Sequence, residues 1–277
     1  MGLNTQLVGK QYPNATFEVT ADHIERYARA TNDENERYLG GTDVVAPPVF
    51  PVVPAFNAFM TATMDPELGA DLLRLVHAAE EHVFHKPIRA GDVLTVTSVL
   101  ESVEQKETGE TFTVKGTETN QDGEVAAEVR GTMFIRGSGS GSRSAAPSEA
   151  ARDVVYEETT KVDDDQTYRY ADASGDHNPI HIDPDTAKMA GLPGIILHGM
   201  CTMAMASKAA VNGLAGGDPT RIARVGVRLS KPVLPGQELT TRLWKEADAA
   251  GIATYGFETY NPDGVAVIRN GIVEVRA

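Results

Sequence analysis

The apolar positions of this chain repeat with two periods. After Thr20, the residues Ile24, Tyr27, Ala28 and Thr31 fall at i, i+3, i+4 and i+7, which predicts an amphipathic helix with Thr20 as its N-cap. Further on, Leu94-Thr-Val96-Thr-Ser-Val99 and Phe112-Thr-Val114 alternate as half-buried strands do, and Asn120-Gln-Asp-Gly123 between the strand runs suits a hairpin turn. The second half shows the same signs in Leu239-Thr-Thr-Arg-Leu-Trp244, Ala253-Thr-Tyr255-Gly-Phe257 and the turn Asn261-Pro-Asp-Gly264. A third pattern, Met200 to Val211, is apolar nearly all round and predicts a buried helix.

These elements form an internal repeat. Tyr27-Ala-Arg-Ala-Thr-Asn-Asp33-Glu-Asn35 lies under Tyr170-Ala-Asp-Ala-Ser-Gly-Asp176-His-Asn178 at a shift of 143 (170 − 27), and Lys86-Pro87 under Lys231-Pro232 at 145 (231 − 86). Each half therefore reads as a helix, a loop, a central helix and a run of antiparallel strands. Such an α+β unit buries one sheet face by wrapping it around the apolar helix. The run from Gly137 to Ser148 has the composition of a linker, so the chain divides into residues 1–136, a linker at 137–150, and residues 151–277.

Chemistry concentrates between Tyr168 and Gly199. Pro179 pushes Asn178 towards an extended conformation and Gly175 permits backbone angles closed to other residues, so the chain must turn between Ser174 and His181. Asp176 and His181 can then face each other across one water, one group taking a proton while the other delivers one. His198-Gly199 opens the apolar helix, whose first-turn amides can hold a carbonyl oxygen that gains negative charge. Blander readings exist for each residue: Asp-x-Asn-Pro as a simple turn, His177 as a solvated loop residue, His198 as a satisfied core histidine.

The conjunction of Tyr170-Ala-Asp-Ala-Ser-Gly-Asp176-His-Asn178-Pro179-Ile-His181 with Pro193-Gly-Ile-Ile-Leu-His198-Gly199 resembles the signature of the MaoC-like, or hydratase 2, enzymes of the hot-dog superfamily. The resemblance implies two tandem hot-dog domains in a pseudo-dimeric double hot dog, and (R)-specific hydration of trans-2-enoyl thioesters without a cofactor or metal. It implies that Asp176 and His181 are the catalytic pair, Asn178 a supporting amide and Gly199 the oxyanion-hole amide, with His198 beside the substrate. It allows a further homodimer.

The N-terminal copy departs from this pattern. Asp33 and Asn35 are retained, but His181 maps to Tyr38 and no His-Gly pair follows. In its place stand Pro47, Pro48, Pro51 and Pro54, which predict that the first turns of the N-terminal central helix are extended or missing. One catalytic site per chain is expected, with Asp33 a turn or cap residue. Sheet surface left bare by a shortened helix would take the acyl chain, with Val53 and Phe56 lining its far end, although both also read as ordinary core.

Composition narrows the field. A net charge of −14 argues against a broad nucleic-acid or polybasic membrane surface, and no stretch is long and apolar enough to span a bilayer. The single cysteine, Cys201, reads as a buried hydrophobe in a chain without intramolecular disulfides, and the N-terminus lacks the apolar core of a signal peptide, so a cytoplasmic protein is expected. His77, His82 and His85 with Glu80 read as part of a strand rather than a metal site, and Asp163-Asp-Asp165 as caps and dipole partners of the following helix rather than a calcium loop. Two functional alternatives remain beside acyl-coenzyme A hydration: dehydration of 3-hydroxyacyl groups on a carrier protein, and a non-catalytic acyl-thioester binding module.

Overall fold

The computed structural model describes residues 2–41, 43–72, 74–137 and 152–277. The first half contains β1 (Gln11–Glu18), α1 (Ala21–Ala30), α2 (Val52–Thr63), β2 (Leu75–Phe84), β3 (Val93–Lys106), β4 (Gly109–Thr119) and β5 (Val125–Arg136). The second contains β6 (Val154–Lys161), α3 (Gln166–Ser174), α4 (Pro184–Met189), α5 (Gly199–Leu214), β7 (Ile222–Leu229), β8 (Glu238–Ala249), β9 (Ile252–Tyr260) and β10 (Ala266–Arg276). Apart from Gly137, the expected linker at 137–150 lies outside the described residues. No helix among the described residues is long and apolar enough to cross a membrane.

The strands form one antiparallel sheet in the order β1-β3-β4-β5-β2-β7-β10-β9-β8-β6, a sequence unchanged when the two halves are exchanged. The halves meet where β2 pairs with β7, and there Glu81 faces Gly226. Their separation, 145 (226 − 81), is the repeat shift itself, so this pair lies on the pseudo-twofold axis. Two arginines repeat the symmetry: Arg26 Nη2 donates to the Asp172 carbonyl at 3.1 Å and Arg169 Nη1 to the Arg29 carbonyl at 2.9 Å. The expected double hot dog is the architecture observed, with α2 and α5 as the two central helices.

Local signals explain the helices. Thr20 caps α1 by accepting from the His23 amide, and Ile24, Tyr27 and Ala28 are fully buried. The apolar run of the second half forms α5, which is buried from Met200 through Ser207 and again at Ala209, Ala210 and Val211. Cys201 is buried within it.

Helix α2 corrects the proline expectation, because its first turn is intact. Pro47 and Pro48 precede the helix, Pro51 is its N-cap and Pro54 its third residue. The amides of a first helical turn have no intrahelical acceptor, so prolines there remove no bond and their fixed φ suits the helix. The sheet is consequently not left bare beneath missing turns.

Two buried carboxylates distinguish the first half. Glu80 on β2 accepts from His77 Nε2 at 2.9 Å and from His82 Nε2 at 3.0 Å, while His82 Nδ1 lies 3.1 Å from the Pro48 carbonyl. Burial alone would raise this carboxyl, but the two histidine hydrogen bonds outweigh it and hold Glu80 below the ordinary glutamate range. His77 and His82 lie on β2 as the strand reading has it, His85 falls just beyond its end, and His82 ties the strand to the entry of α2. Asp163 and Asp165 both pair with Arg169, and Asp165, although the N-cap of α3, makes no side-chain capping bond, which corrects the capping expectation.

Glu118 on β4 is fully buried, and neither carboxylate oxygen has a hydrogen-bond partner. Aligning the hairpin turns at Asn120 and Asn261 puts Thr259 at the same place in the second half, where its hydroxyl bonds Thr241 at 2.9 Å. Burial pushes the Glu118 acid well above its usual 4.5. Above that pH the unfolded chain binds fewer protons than the folded one, so stability falls as pH rises towards the folded-state pKa. Glu118→Gln should therefore lose less stability than wild type between about pH 5 and pH 8. Thermal melting across that range checks it, and identical pH slopes would contradict it.

Candidate active site

The turn after α3 begins at Gly175, whose φ of 80° is left-handed and open to glycine at little cost. Asn178 is extended (φ −57°, ψ 124°), as the following proline requires, and Pro179–His181 then makes one 3₁₀ turn. Side chains stabilise the path. Asp176 Oδ1 accepts from the Asn178 amide at 3.1 Å, and Asn178 Oδ1 from the Ile180 amide at 3.3 Å. Ser174 Oγ donates to the Tyr170 carbonyl at 2.7 Å and accepts from the Asp176 amide at 3.2 Å. Asp176 is half-buried, whereas His177 is exposed, as a solvated loop residue would be.

His181 is buried with Nδ1 2.7 Å from the Ile196 carbonyl. A carbonyl only accepts, so the proton resides on Nδ1 and Nε2 keeps its lone pair. Burial lowers the imidazole pKa, against the raising influence of the Ile196 bond and of Asp176, and the ring stays neutral at neutral pH. His198 is held the opposite way: Nε2 donates to the Asp176 carbonyl at 2.9 Å, and buried Nδ1 has no partner. Burial, followed by the neighbouring His181, lowers His198 to about 4. The two rings stack at 3.8 Å with 27° between their planes.

One donor atom each from Asp176, His181 and His198 lies within 4.8 Å of the others. Distance alone would admit a metal ion. Imidazole lone pairs lie in the ring plane, however, and an ion about 2 Å from both stacked nitrogens would stand well outside at least one of those planes. The set suits a water between a carboxylate and a bare imidazole nitrogen. Gly199, adjacent to His198, is the first residue of α5, so its amide has no intrahelical acceptor. A Cβ there would come within 2.4 Å of Leu229 Cδ1, so any larger residue requires the Leu229 side chain or the start of α5 to shift.

The structure thus brings Asp176, His181, His198 and Gly199 together, and puts Asn178 to work holding the turn. Val53 and Phe56 lie half-buried on α2, which touches α3. Val53 packs against the core that also contains Tyr170, Leu197 and Met200. Leu229 lies in no motif, and Ile196 lies in one only as an apolar position, since their parts depend on a loop returning past His181 and on β7 lying against the start of α5. Ser174 lies inside the motif and was legible only as a turn residue.

The N-terminal copy keeps the turn without the histidine. Asp33 Oδ1 accepts from the Asn35 amide at 3.1 Å, repeating the Asp176 geometry, and burial raises Asp33 to about 6. Tyr38, in the histidine's place, is fully buried. A cleft of about 870 Å³ opens here among Arg29, Asn32, Asp33, Asp163, Arg169 and Lys208. Its cations are paired, Arg29 with Glu25, Arg169 with Asp163 and Lys208 with Glu158.

Residues 145–262 match the model of the MaoC like domain, and residues 6–129 that of the FAS1-like dehydratase domain region. The chain is 32% identical over 252 residues to 3-hydroxyacyl-thioester dehydratase Y of Mycobacterium tuberculosis, with 84% of this chain and 83% of that protein covered. It is 30% identical over 249 residues to the mouse peroxisomal multifunctional enzyme type 2, covering 86% of this chain but only 33% of that protein. In structure it resembles a MaoC-like dehydratase from Phytophthora capsici with a TM-score of 0.83 at 24% identity, over 99% of this chain and 98% of that one.

Two outcomes follow for the separate halves. Asp33→Asn and Asn35→Ala should leave turnover within a few-fold of wild type, because that copy lacks a counterpart of His181. Gly199→Ala should lower turnover by about tenfold or more by displacing Leu229 and the start of α5, with Leu229→Ala in the same chain restoring part of it. Steady-state rates of the variants check both; turnover lost on changing Asp33, or kept in Gly199→Ala, would contradict them.

Proposed function

The chain belongs to the MaoC-like dehydratase family of hydro-lyases, and from that premise we propose that it adds water reversibly across the double bond of trans-2-enoyl-coenzyme A, giving the (R)-3-hydroxyacyl thioester. The observation that carries this reading is the protonation pattern of His181. With Nδ1–H committed to the Ile196 carbonyl, His181 keeps a bare Nε2 on a ring that clusters with Asp176 and stacks on His198, the residue before the first amide of α5 at Gly199.

The chemistry follows from these positions. The thioester carbonyl accepts from the Gly199 amide at the positive end of α5, which draws electron density from C3. A water between Asp176 and His181 attacks C3; the pair takes one of its protons and delivers one to C2, so one water is consumed and none of its atoms is lost. Both new bonds form on the face the pair occupies. His198 holds the Asp176 carbonyl and stacks on His181, fixing the two groups relative to each other. An acidic carrier protein would need a basic docking patch on a chain whose net charge is −14.

Asp176→Asn and His181→Gln should each lower kcat by at least about a hundredfold while the fold persists. Because both act on one water, the double variant should cost much less than the product of the singles. Protonating His181 removes the acceptor, and its pKa lies below the ordinary histidine value, so kcat/KM should be level through neutral pH and fall only below about 6.5. Crotonyl-coenzyme A consumption, followed as loss of enoyl absorbance, reads all of these. A near-native rate in either single variant removes that residue from the mechanism, and no turnover by wild type leaves a binding module.

A further inference from the structure

The repeat lets each charge of one half be compared with its counterpart in the other. In the first half Lys86 pairs with Glu124, and Glu128 on β5 pairs with Lys115 and Arg130. With the hairpin turns aligned at Asn120 and Asn261, a shift of 141 (261 − 120), the places of Glu124 and Glu128 fall to Val265 and Arg269. At the strand shift of 145, the place of Lys86 falls to Lys231 and that of Val83 to Arg228. Val83 faces Glu128 across β2 and β5, whereas Arg228 faces Arg269 across β7 and β10. The catalytic half has thus given up two acids and gained two arginines on a patch where the other half keeps its charges paired.

Among the described residues, no acid and no carbonyl meets the side chain of Arg228, Lys231 or Arg269. Arg224, four residues earlier on the same face of β7, is by contrast held by Glu81 and Glu274. Like charges directly opposite each other on neighbouring strands destabilise a sheet. In a chain of net charge −14, where acids are in surplus, three cations left together without one call for an anion from outside.

The patch adjoins the reaction site. Leu229 turns inward against Gly199, so its neighbour Arg228 points to the outer face of the sheet, where it is exposed. Ser230 is tied to β10, its amide donating to the Val267 carbonyl at 2.9 Å and its hydroxyl to the Ala266 carbonyl at 2.6 Å, which holds Lys231 beside Val265. Val233 then accepts from the Leu197 amide at 2.8 Å, one residue before His198. The strand end that carries the three cations is therefore the one against which α5 begins.

We propose that Arg228, Lys231 and Arg269 bind a phosphate group of coenzyme A while the thioester lies at Gly199. The assignment deepens the hydratase reading and rests on it for the position of the thioester. Arginine presents a planar fork that matches two phosphate oxygens at once, and lysine adds a mobile point charge. Along β7 the patch ends at Arg224, which Glu81 and Glu274 already neutralise. Three cations in so small an area fit a phosphate rather than the broad acidic face of a carrier protein.

The test measures binding apart from turnover. Arg269→Glu copies Glu128 of the other half and gives Arg228 an acid partner, so its melting temperature should not fall. Isothermal titration with coenzyme A itself should show binding at least about tenfold weaker than in wild type, a loss that shrinks as salt is raised. Arg228→Gln/Lys231→Gln, which adds no acid, should repeat the loss. Arg136→Glu, the same change of charge at an exposed position at the end of β5, should cost less than about threefold. In turnover, Arg269→Glu should raise KM at least about tenfold more for crotonyl-coenzyme A than for crotonyl-N-acetylcysteamine, which carries no phosphate. Within a confirmed loss, an equal effect on dephospho-coenzyme A assigns the patch to the pyrophosphate, and a smaller one assigns it to the 3′-phosphate. Unchanged coenzyme A affinity, an equal loss in Arg136→Glu, or equal penalties on the two crotonyl thioesters overturn the proposal. So does a loss confined to crotonyl groups on a carrier protein, since the patch is then a docking face for that partner. Patch-dependent binding of coenzyme A without hydration of any enoyl thioester would keep the patch and remove the hydratase reading.

Discussion

Everything in this molecule is arranged about the antiparallel pairing of β2 with β7. Ladder hydrogen bonds between these strands turn two half-sheets into one, and the Glu81–Gly226 pair fixes a pseudo-twofold axis at the centre of the chain. That axis sets the two central helices in equivalent places and brings each loop after α1 or α3 to a corresponding position. The fold thus builds two potential sites, and short stretches of sequence decide what each becomes.

In the second half, Pro179 and His181 give the loop its 3₁₀ turn, and the return of the chain past Ile196 sets the histidine tautomer. Gly199 then permits α5 to start against Leu229. In the first half the same Asp–Asn turn survives, but Tyr38 is buried where the histidine would be, and the loop closes onto α5. The loss of the histidine and the closure of this loop onto α5 together set the first half apart from the second.

Much of this was legible in the sequence. The repeat was visible because Asp33 and Asn35 still specify a turn, and the helix after Thr20 because its cap and its spacing agree. Asp176, Asn178 and His181 could be read together because one short turn holds all three. The bare Nε2 of His181 could not, since it depends on a carbonyl 15 residues away in a different segment. The prolines before α2 misled because their effect depends on helix position: inside a helix they remove bonds, whereas at Pro51 and Pro54 there was no bond to remove. Buried Glu80 and Glu118 were hidden for a related reason, since a strand pattern shows alternation but not which polar side chain turns inward.

The central claim is that Asp176 and His181 act on one water from one face of the double bond. Hydrating crotonyl-coenzyme A in deuterium oxide tests it most directly, with the product resolved by chiral chromatography and NMR. The account predicts a single diastereomer, (R) at C3, with the deuterium at C2 delivered to the same face as the hydroxyl. A product scrambled at C2, or one with hydroxyl and deuterium on opposite faces, would contradict it.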